Sequence, residues 1–403
     1  MFAWWAAWTA SVAWSDEPLP TCSFPDDEDA VYVLTVQPLD DVIRLFGHTA
    51  LLFWEPKRGK RSAVYDYGRF RLEGSPLDIV RDYLTMQQVY FLGGNPLSRS
   101  QARYGGQERG VIAQRLDLSA EEARALELSI IEQLAEPEFR YNWYDQNCST
   151  KVRDRIDEAV GGALRAAMSE PSGTSPAAEV LRHSANHPLW LGLEWGSTRF
   201  ARSEITDWDA MFLPEPMMHR LEAARRADGR PLVAETCQWL PAGQPPIPVA
   251  PPRRAGGLTL VGLGLAGVLG GLRRSSALAG AMGFGTFAFV LALWGTAALI
   301  VGLAGTFAPF WGNDNQAFAS PLWALGGLAA FGAFRNPEAR WPGVIVVGLL
   351  GVAGLGFVGS LAFGFAAGNL GLAGLLLPPM AVFAWFVSAP WRLEAASRSS
   401  AGR

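Results

Sequence analysis

The sequence predicts an α+β domain followed by an all-α bundle of about five transmembrane helices. Two observations lead to this division. Hydrophobic residues make up 49% of the 403-residue chain and charged residues only 18%, which is apolar for a soluble protein. The charged residues are also concentrated before Arg254, and long stretches rich in Gly, Ala and Leu follow. A soluble domain and a membrane domain are therefore expected in one chain.

Five apolar stretches after Arg254 have lengths close to that of a membrane span. They are residues 256–272, 277–306, 321–334, 343–367 and 370–388. One such run is also typical of a buried core helix, but five in succession favour a membrane domain. We therefore expect membrane helices over residues 256–390, a stiff Pro-rich linker over 241–255 and a cytoplasmic tail over 391–403.

Arginines between the predicted spans indicate the orientation of the chain. They lie between the first and second spans, between the third and fourth, and after the fifth: Arg273, Arg274, Arg335, Arg340, Arg392, Arg398 and Arg403. The positive-inside rule puts these in the cytoplasm and residues 21–240 in the periplasm, although Arg253 and Arg254 oppose it. Residues 1–20 are expected to be an export signal or an uncleaved apolar segment.

The chain has only three cysteines, which fits an exported bacterial domain that is not a disulfide scaffold. One hypothesis pairs Cys22 with Cys237, which would tie the ends of the domain together and leave Cys148 as a free thiol. The spacing alone does not establish this connectivity. Lipidation of Cys22 is the alternative, but Leu19-Pro20-Thr21 lacks the small residues that a lipoprotein signal carries there.

Within the soluble domain, alternating or apolar runs predict four strands, at residues 31–36, 49–54, 63–67 and 111–116. Helices are predicted at residues 78–86 and 119–134, the second with a Ser119/Glu122 capping box. A third begins at Cys148, with Asn147 as its N-cap. This order predicts a small antiparallel sheet between helices.

Cys148 is the candidate nucleophile because of its place at a helix start. The macrodipole and the unpaired N–H groups of a first turn favour an anion, so the thiol is expected to ionise more easily there. The alternative is a small buried residue at a helix end. No metal is expected: His183 and His187 are one helical turn apart, but Pro188 ends that run and no acidic residue completes a metal motif with them. His219 is expected to begin an amphipathic helix and to lie on the surface.

His48, at the start of the second strand, is the remaining candidate for a base. A residue at that place can point from the sheet edge toward a helix N-terminus packed against it. The group that orients the imidazole is expected on the facing strand. Alternation places Tyr65 and Tyr67 on one face of that strand and Asp66 on the other, so all three remain candidates.

Three groups of residues carry a family resemblance. They are Phe46-Gly47-His48-Thr49-Ala50-Leu51, Tyr65-Asp66-Tyr67-Gly68-Arg69-Phe70, and Tyr141-Asn142 with Asp145 and Asn147-Cys148-Ser149-Thr150-Lys151-Val152-Arg153-Asp154. Together they resemble the bacterial lipoprotein N-acyltransferase family, formerly a domain of unknown function. Residues 210–214 and 229–233 extend the resemblance. So does the loop between the second and third spans, where Asn313 and Asn315 match an asparagine-rich segment.

The resemblance implies a permuted papain-like periplasmic domain at the bacterial inner membrane. It implies that Cys148 forms an acyl thioester with His48 as base, and that Asn147 belongs to the site. Asn313, Asn315 and Arg153 are the candidate substrate-binding residues. The expected partners are a phospholipid acyl donor, a diacylated lipoprotein acceptor and the membrane; no nucleic acid and no cofactor are expected.

Two other functions compete with acyl transfer. A membrane-anchored cysteine peptidase or amidase would use the same Cys148 and His48 with water as the acceptor. Five spans are more than an anchor needs, which favours transfer. The third hypothesis involves no catalysis: the domain is a periplasmic binding module and Cys148 has a structural role.

Overall fold

The computed structural model describes residues 19–71, 74–197, 201–304, 318–362 and 366–401. They form two compact units. The first contains the chain up to Trp190 and from Ser203 to Pro252, and the second contains Leu191–Arg202 and the chain from Arg253 onward. Most of the predicted export segment, as well as Asn313 and Asn315, lies outside the described residues.

The strands of the described chain all belong to the first unit. They are β1 (Ala30–Val36), β2 (His48–Trp54), β3 (Ala63–Phe70), β4 (Val89–Pro96), β5 (Val111–Leu116), β6 (Glu138–Arg140) and β7 (Val233–Leu240). The helices up to the linker are α1 (Pro76–Leu84), α2 (Leu97–Gly105), α3 (Ala120–Gln133), α4 (Cys148–Ala159), α5 (Ala163–Ala167), α6 (Pro176–His183), α7 (Trp190–Gly196), α8 (Asp207–Ala210) and α9 (Pro214–Ala223).

The strands make one antiparallel sheet in the order β6-β4-β3-β2-β1-β5-β7. The four predicted strands are confirmed as β1, β2, β3 and β5, and the sheet is larger than predicted because β4, β6 and β7 join it. The sequence of β4 hides its strand, since Gly93-Gly94 and Asn95-Pro96 are residues typical of turns. β2 and β3, which carry the candidate base and its partners, lie near the middle of the sheet.

Helices and hydrophobic side chains cover both faces of the sheet. Alternation in β1 sends Val31 and Val33 to one core and Tyr32 and Leu34 to the other. The first core is completed by α3, α4 and α9, and the second by α2 and the segment around Cys22. The Ser119/Glu122 capping box at the start of α3 is confirmed.

The predicted disulfide is confirmed: Cys22 is bonded to Cys237, and Cys148 is the free cysteine. Backbone hydrogen bonds flank the bond, from Cys22 N–H to the Gln238 carbonyl and from Gln238 N–H to the Pro20 carbonyl, at 3.1 and 2.8 Å. The segment that precedes β1 is thereby fixed to the edge strand β7.

The second unit consists mainly of apolar helices. After α7 they are α10 (Ala255–Ser275), α11 (Ala277–Ala304), α12 (Trp323–Arg335), α13 (Trp341–Ala362) and α14 (Ala366–Ala401). Among the described residues, three stretches are long and apolar enough to cross a membrane: Ala255–Ser275, Ala277–Ile300 and Leu370–Val387. The other two predicted spans correspond to α12 and α13. With 13 residues, α12 is about 20 Å long and shorter than a bilayer core.

Removing the disulfide should destabilise the first unit. For a Cys22→Ser/Cys237→Ser double variant we expect a loss of about 2–5 kcal/mol, because the bond closes a chain of 215 residues and restricts the unfolded state. Thermal unfolding in detergent, followed by tryptophan fluorescence, measures this. Cys148→Ser, which leaves the bond intact, is the control. A double variant that unfolds at the temperature of this control contradicts the prediction.

Candidate active site

Asn147 fixes the point at which α4 begins. Its side-chain oxygen accepts hydrogen bonds from the N–H groups of Ser149 and Thr150, at 2.8 and 3.0 Å. Its side-chain nitrogen donates to the carbonyls of Trp143 and Phe212, at 2.9 and 3.0 Å. The predicted N-cap is confirmed. Since its donors and acceptor positions are occupied, Asn147 acts as a positioning residue for the first turn.

Thr49 and Ser149 connect the start of β2 to the start of α4. Their hydroxyl oxygens lie 3.1 Å apart, and both residues are fully buried. The backbone of Thr49 also hydrogen-bonds to the thiol of Cys148. Because Thr49 follows His48 and Ser149 follows Cys148, this contact brings together the two elements that carry the candidate base and nucleophile.

Asp66 is the candidate orienting group that lies beside His48. Its Oδ1 is 3.8 Å from Nε2 of the imidazole, and the Asp66 side chain is 4% exposed. The register explains this, because Ala50 pairs with Asp66 and His48 lies two residues before Ala50 on the same face. At 3.8 Å the contact is electrostatic and longer than a hydrogen bond. Nε2 is the ring nitrogen that lies nearest to the Asp66 carboxylate.

Gly68 provides the space in which the His48 ring lies. A Cβ at this position would overlap the imidazole. The pairing of β3 with β4 shifts register between Asp66 and Arg69, and the Gly68 N–H donates to Oδ1 of Asp66 at 3.2 Å. The irregularity therefore orients the carboxylate and leaves room for the imidazole at the same time.

Burial determines the charge state of His48. It lowers the pKa of the imidazole from its ordinary 6.5 to about 4; Asp66 opposes this shift, and Arg109, Arg103 and Arg69 add to it. His48 is therefore neutral at pH 7, which is the state that a general base requires.

Burial also raises the pKa of the Cys148 thiol, although hydrogen bonds from the Thr49 backbone and the Ser149 side chain act in the opposite direction. The sequence-based expectation of easier ionisation is wrong for this state, because loss of hydration outweighs the helix terminus. Both side chains are therefore uncharged near neutral pH.

Tyr65 and Tyr67 lie on the opposite face of β3 from Asp66, as alternation predicts. Tyr67 is 1% exposed, and its hydroxyl donates to Oε1 of Gln133 at 2.9 Å. The Tyr65 ring packs edge-on against Phe53, with centroids 5.8 Å apart. Both tyrosines contribute to the core beneath α3 and α4, and Asp66 is the member of the trio placed next to His48.

Arg153, a candidate for substrate binding, is held by protein groups. Its Nη1 donates to the Trp208 carbonyl at 2.9 Å, its Nη2 pairs with Asp154 at 2.8 Å, and its guanidinium stacks 3.9 Å above the Trp208 ring. It lines a polar cavity of about 410 Å³ together with Asp145 and Tyr144. These contacts tie α4 to α8, and a substrate-binding role stays a prediction.

The other histidines surround Glu215 or lie outside the site. Nε2 of His183 and Nε2 of His219 are 3.8 and 3.5 Å from the Glu215 carboxylate. His219 was expected at a helix start, but it lies in the second half of α9, which begins at Pro214. Within the described ranges, no group of three acidic, histidine or cysteine side chains could hold a metal ion.

Sequence reasoning missed three site residues: Thr49, Ser149 and Gly68. All three lie inside the motifs that carry the family resemblance, directly after or two residues after a candidate catalytic residue. Their roles depend on contacts between elements far apart in the chain. The motif boundaries were therefore the available signal, and the roles themselves needed the fold.

Residues 25–180 match the family model of the Lnb N-terminal periplasmic domain. The match begins before β1 and ends within α6, so it includes His48, Asp66 and Cys148, but it covers less than half of the chain. No curated protein and no solved structure matches the chain. Together with the three helices that are long and apolar enough to cross a membrane, the match indicates an inner-membrane protein with a periplasmic N-terminal domain.

Substituting Gly68 should displace the imidazole. For Gly68→Ala we expect a loss of about 1–3 kcal/mol from overpacking and slower alkylation of Cys148 by iodoacetamide, because His48 leaves its position. Gly105→Ala is the control, since a Cβ there meets nothing within 4 Å. Thermal unfolding and alkylation rates measure both effects. Equal behaviour of the two variants would show that Gly68 has no such role.

Protonation of His48 should occur near pH 4. NMR of histidine-labelled protein, with His48→Gln to assign the signal, is expected to give a midpoint of about 4 rather than 6.5. Since folding favours the neutral imidazole, its contribution to stability is complete above pH 6.5 and is lost as the pH falls toward 4. Lowering the pH should therefore destabilise the wild-type protein more than it destabilises the His48→Gln variant. A midpoint at 6.5 contradicts the assignment.

Proposed function

We propose that the protein is a lipoprotein N-acyltransferase. It transfers an acyl chain from a membrane phospholipid, through a Cys148 thioester, to the α-amine of a lipoprotein's N-terminal cysteine. The observation that carries this proposal is the meeting of the Cys148 and His48 elements, with Asp66 beside the imidazole, in a chain that has membrane-spanning helices. The family resemblance of the motifs supports the same reaction.

In the first half-reaction, His48 takes the proton of the Cys148 thiol and the sulfur attacks an ester carbonyl of the phospholipid. The neutral imidazole is suited to this step. The C–O bond then breaks, and the imidazolium returns its proton to the departing lysophospholipid oxygen. The acyl chain remains on Cys148 as a thioester.

The first turn of α4 supplies a donor for the oxyanion. Its N–H groups at Ser149 and Thr150 are taken by Asn147, and that of Lys151 bonds to the Asn147 carbonyl at 3.0 Å. The N–H of Cys148, next to the sulfur, is the donor of this turn that we assign to the substrate oxygen. It is the group that holds the negative oxygen of both tetrahedral intermediates.

In the second half-reaction, the lipoprotein amine attacks the thioester carbonyl. His48 takes a proton from the attacking nitrogen, the C–S bond breaks, and the thiolate of Cys148 recovers that proton. The products are an amide on the lipoprotein and the free thiol. An amine acceptor requires the site to be close to the bilayer, where both acylated substrates are anchored.

Hydrolysis by a peptidase or amidase is the second candidate, because Cys148 and His48 serve it equally well. Membrane helices favour transfer, since a hydrolase of soluble peptides needs only an anchor. The two functions differ in the acceptor, amine or water, so the product distinguishes them.

Mass spectrometry of a lipoprotein N-terminus is the test, in cells that lack other N-acyltransferases. We expect N-acylation with the wild type, none with Cys148→Ala, and a decrease of about 10²–10⁴-fold in rate with His48→Gln. The exposed Ser169→Ala variant should behave as wild type. N-acylation that persists in Cys148→Ala refutes the proposal. Cys148-dependent cleavage of an amide bond, with no N-acylated lipoprotein formed, supports the peptidase or amidase instead.

A further inference from the structure

The turn between β1 and β2, residues 37–47, presents two aliphatic side chains to solvent. Val42 is 63% exposed and Ile43 55% exposed. The tip is ordered, because Oδ1 of Asp41 accepts from the N–H groups of Ile43 and Arg44, both at 3.1 Å, and Oδ2 pairs with Nε of Arg44 at 2.8 Å. The exposure is thus fixed by the local fold.

The remainder of this turn is packed against the first unit. Leu45 is 4% exposed, the Phe46 ring lies 6.2 Å from the His183 ring, and a Cβ on Gly47 would touch Pro214. Gly47 directly precedes His48. The aliphatic tip is therefore joined to the candidate base through a short, well-packed segment.

Other exposed aliphatic residues mark the places where the chain leaves the first unit. Leu189 is 40% exposed and lies two residues before Leu191, which packs against the apolar cluster of the second unit. Val249 is 60% exposed and precedes the departure at Pro252. The chain at both places continues toward membrane-spanning helices or the residues packed with them.

Polar contacts within the first unit tie α6 and the chain after it to the turn and to the linker. Nε2 of His187 lies 4.0 Å from Oδ1 of Asp40 in the turn. Nη1 of Arg182 donates to the Pro248 carbonyl at 3.4 Å, next to Val249. Val42, Val249 and Ile43 are also the three most exposed large apolar residues in the described part of the first unit.

We propose that Val42, Ile43, Leu189 and Val249 contact the boundary between head groups and acyl chains of the bilayer. These four residues are called the lipid-contact surface. Apolar side chains next to a covalent membrane anchor are favoured at that boundary, and Arg44 is suited to the phosphates above it. This inference rests on the proposed function and deepens it. The turn that carries Val42 and Ile43 directly precedes His48, so lipid contact at this turn would keep the candidate base close to the lipid that supplies the acyl chain.

The test is a depth measurement on the full chain in nanodiscs. A Val42→Cys variant in a Cys148→Ser background has one reactive thiol, since Cys22 and Cys237 are bonded to each other. An NBD label there should shift its emission to the blue and be quenched by doxyl-labelled phosphatidylcholine. Lys60→Cys is the matched control, because it is exposed in the turn at the other end of β2 and should be quenched by aqueous iodide.

A Val42 probe that behaves as the Lys60 probe overturns the proposal. An NBD signal that changes with protein concentration and not with the amount of doxyl lipid also overturns the proposal. It assigns the surface to contact with a second copy of the chain. This readout needs no catalysis, so it can fail or succeed independently of the proposed function.

A second variant avoids the label. Ile43→Asp should lower acyl transfer from phosphatidylcholine vesicles by about tenfold, since the proposed aliphatic contact with the bilayer is lost. Alkylation of Cys148 should be unchanged, which shows an intact fold. Equal transfer by Ile43→Asp and wild type contradicts the lipid contact.

Discussion

The side-chain amide of Asn147 makes hydrogen bonds through both its oxygen and its nitrogen, and the position of Cys148 at the start of α4 depends on these bonds. Its oxygen orders the first turn of α4, and its nitrogen reaches the Phe212 carbonyl just before α9. The same turn is joined to β2 by the buried contact of Ser149 with Thr49. Loss of a buried amide would leave several backbone groups unpaired, which costs more than the bonds themselves contribute. The candidate nucleophile Cys148 is therefore positioned by neighbouring residues that have no proposed chemical role.

Burial determines the charge states of the two candidate groups, Cys148 and His48. It raises the pKa of Cys148 and lowers that of His48, so both side chains are uncharged near neutral pH. Two neutral side chains avoid the desolvation cost that a buried ion pair would carry, which is compatible with the proposed acyl-chain substrates. The same environment protects the thiol from reagents that require a thiolate.

Local patterns predicted the parts of the fold that depend on neighbouring residues. The Asn147 cap, the Ser119 capping box and the strands with strong alternation are of this kind. The choice of Asp66 over Tyr65 and Tyr67 was not predictable, because it depends on the register of β3 with β2. β4 and β7 escaped prediction since glycines, proline or polar residues mask their strands. The direction of the Cys148 pKa shift also required the fold, because sequence shows the helix start and not the degree of burial.

The position of β7 has a consequence for biosynthesis. This strand completes the sheet next to β5 and carries Cys237, yet it is the last of the strands to be translated, shortly before α10. The ribosome must therefore finish nearly the whole exported domain before the edge of the sheet can close. Until then β5 presents unpaired backbone groups on this side, and Cys237, the disulfide partner of Cys22, is still missing. Closure of the sheet and formation of the disulfide therefore belong to the last stage of the first unit's synthesis, just before the first long apolar helix follows.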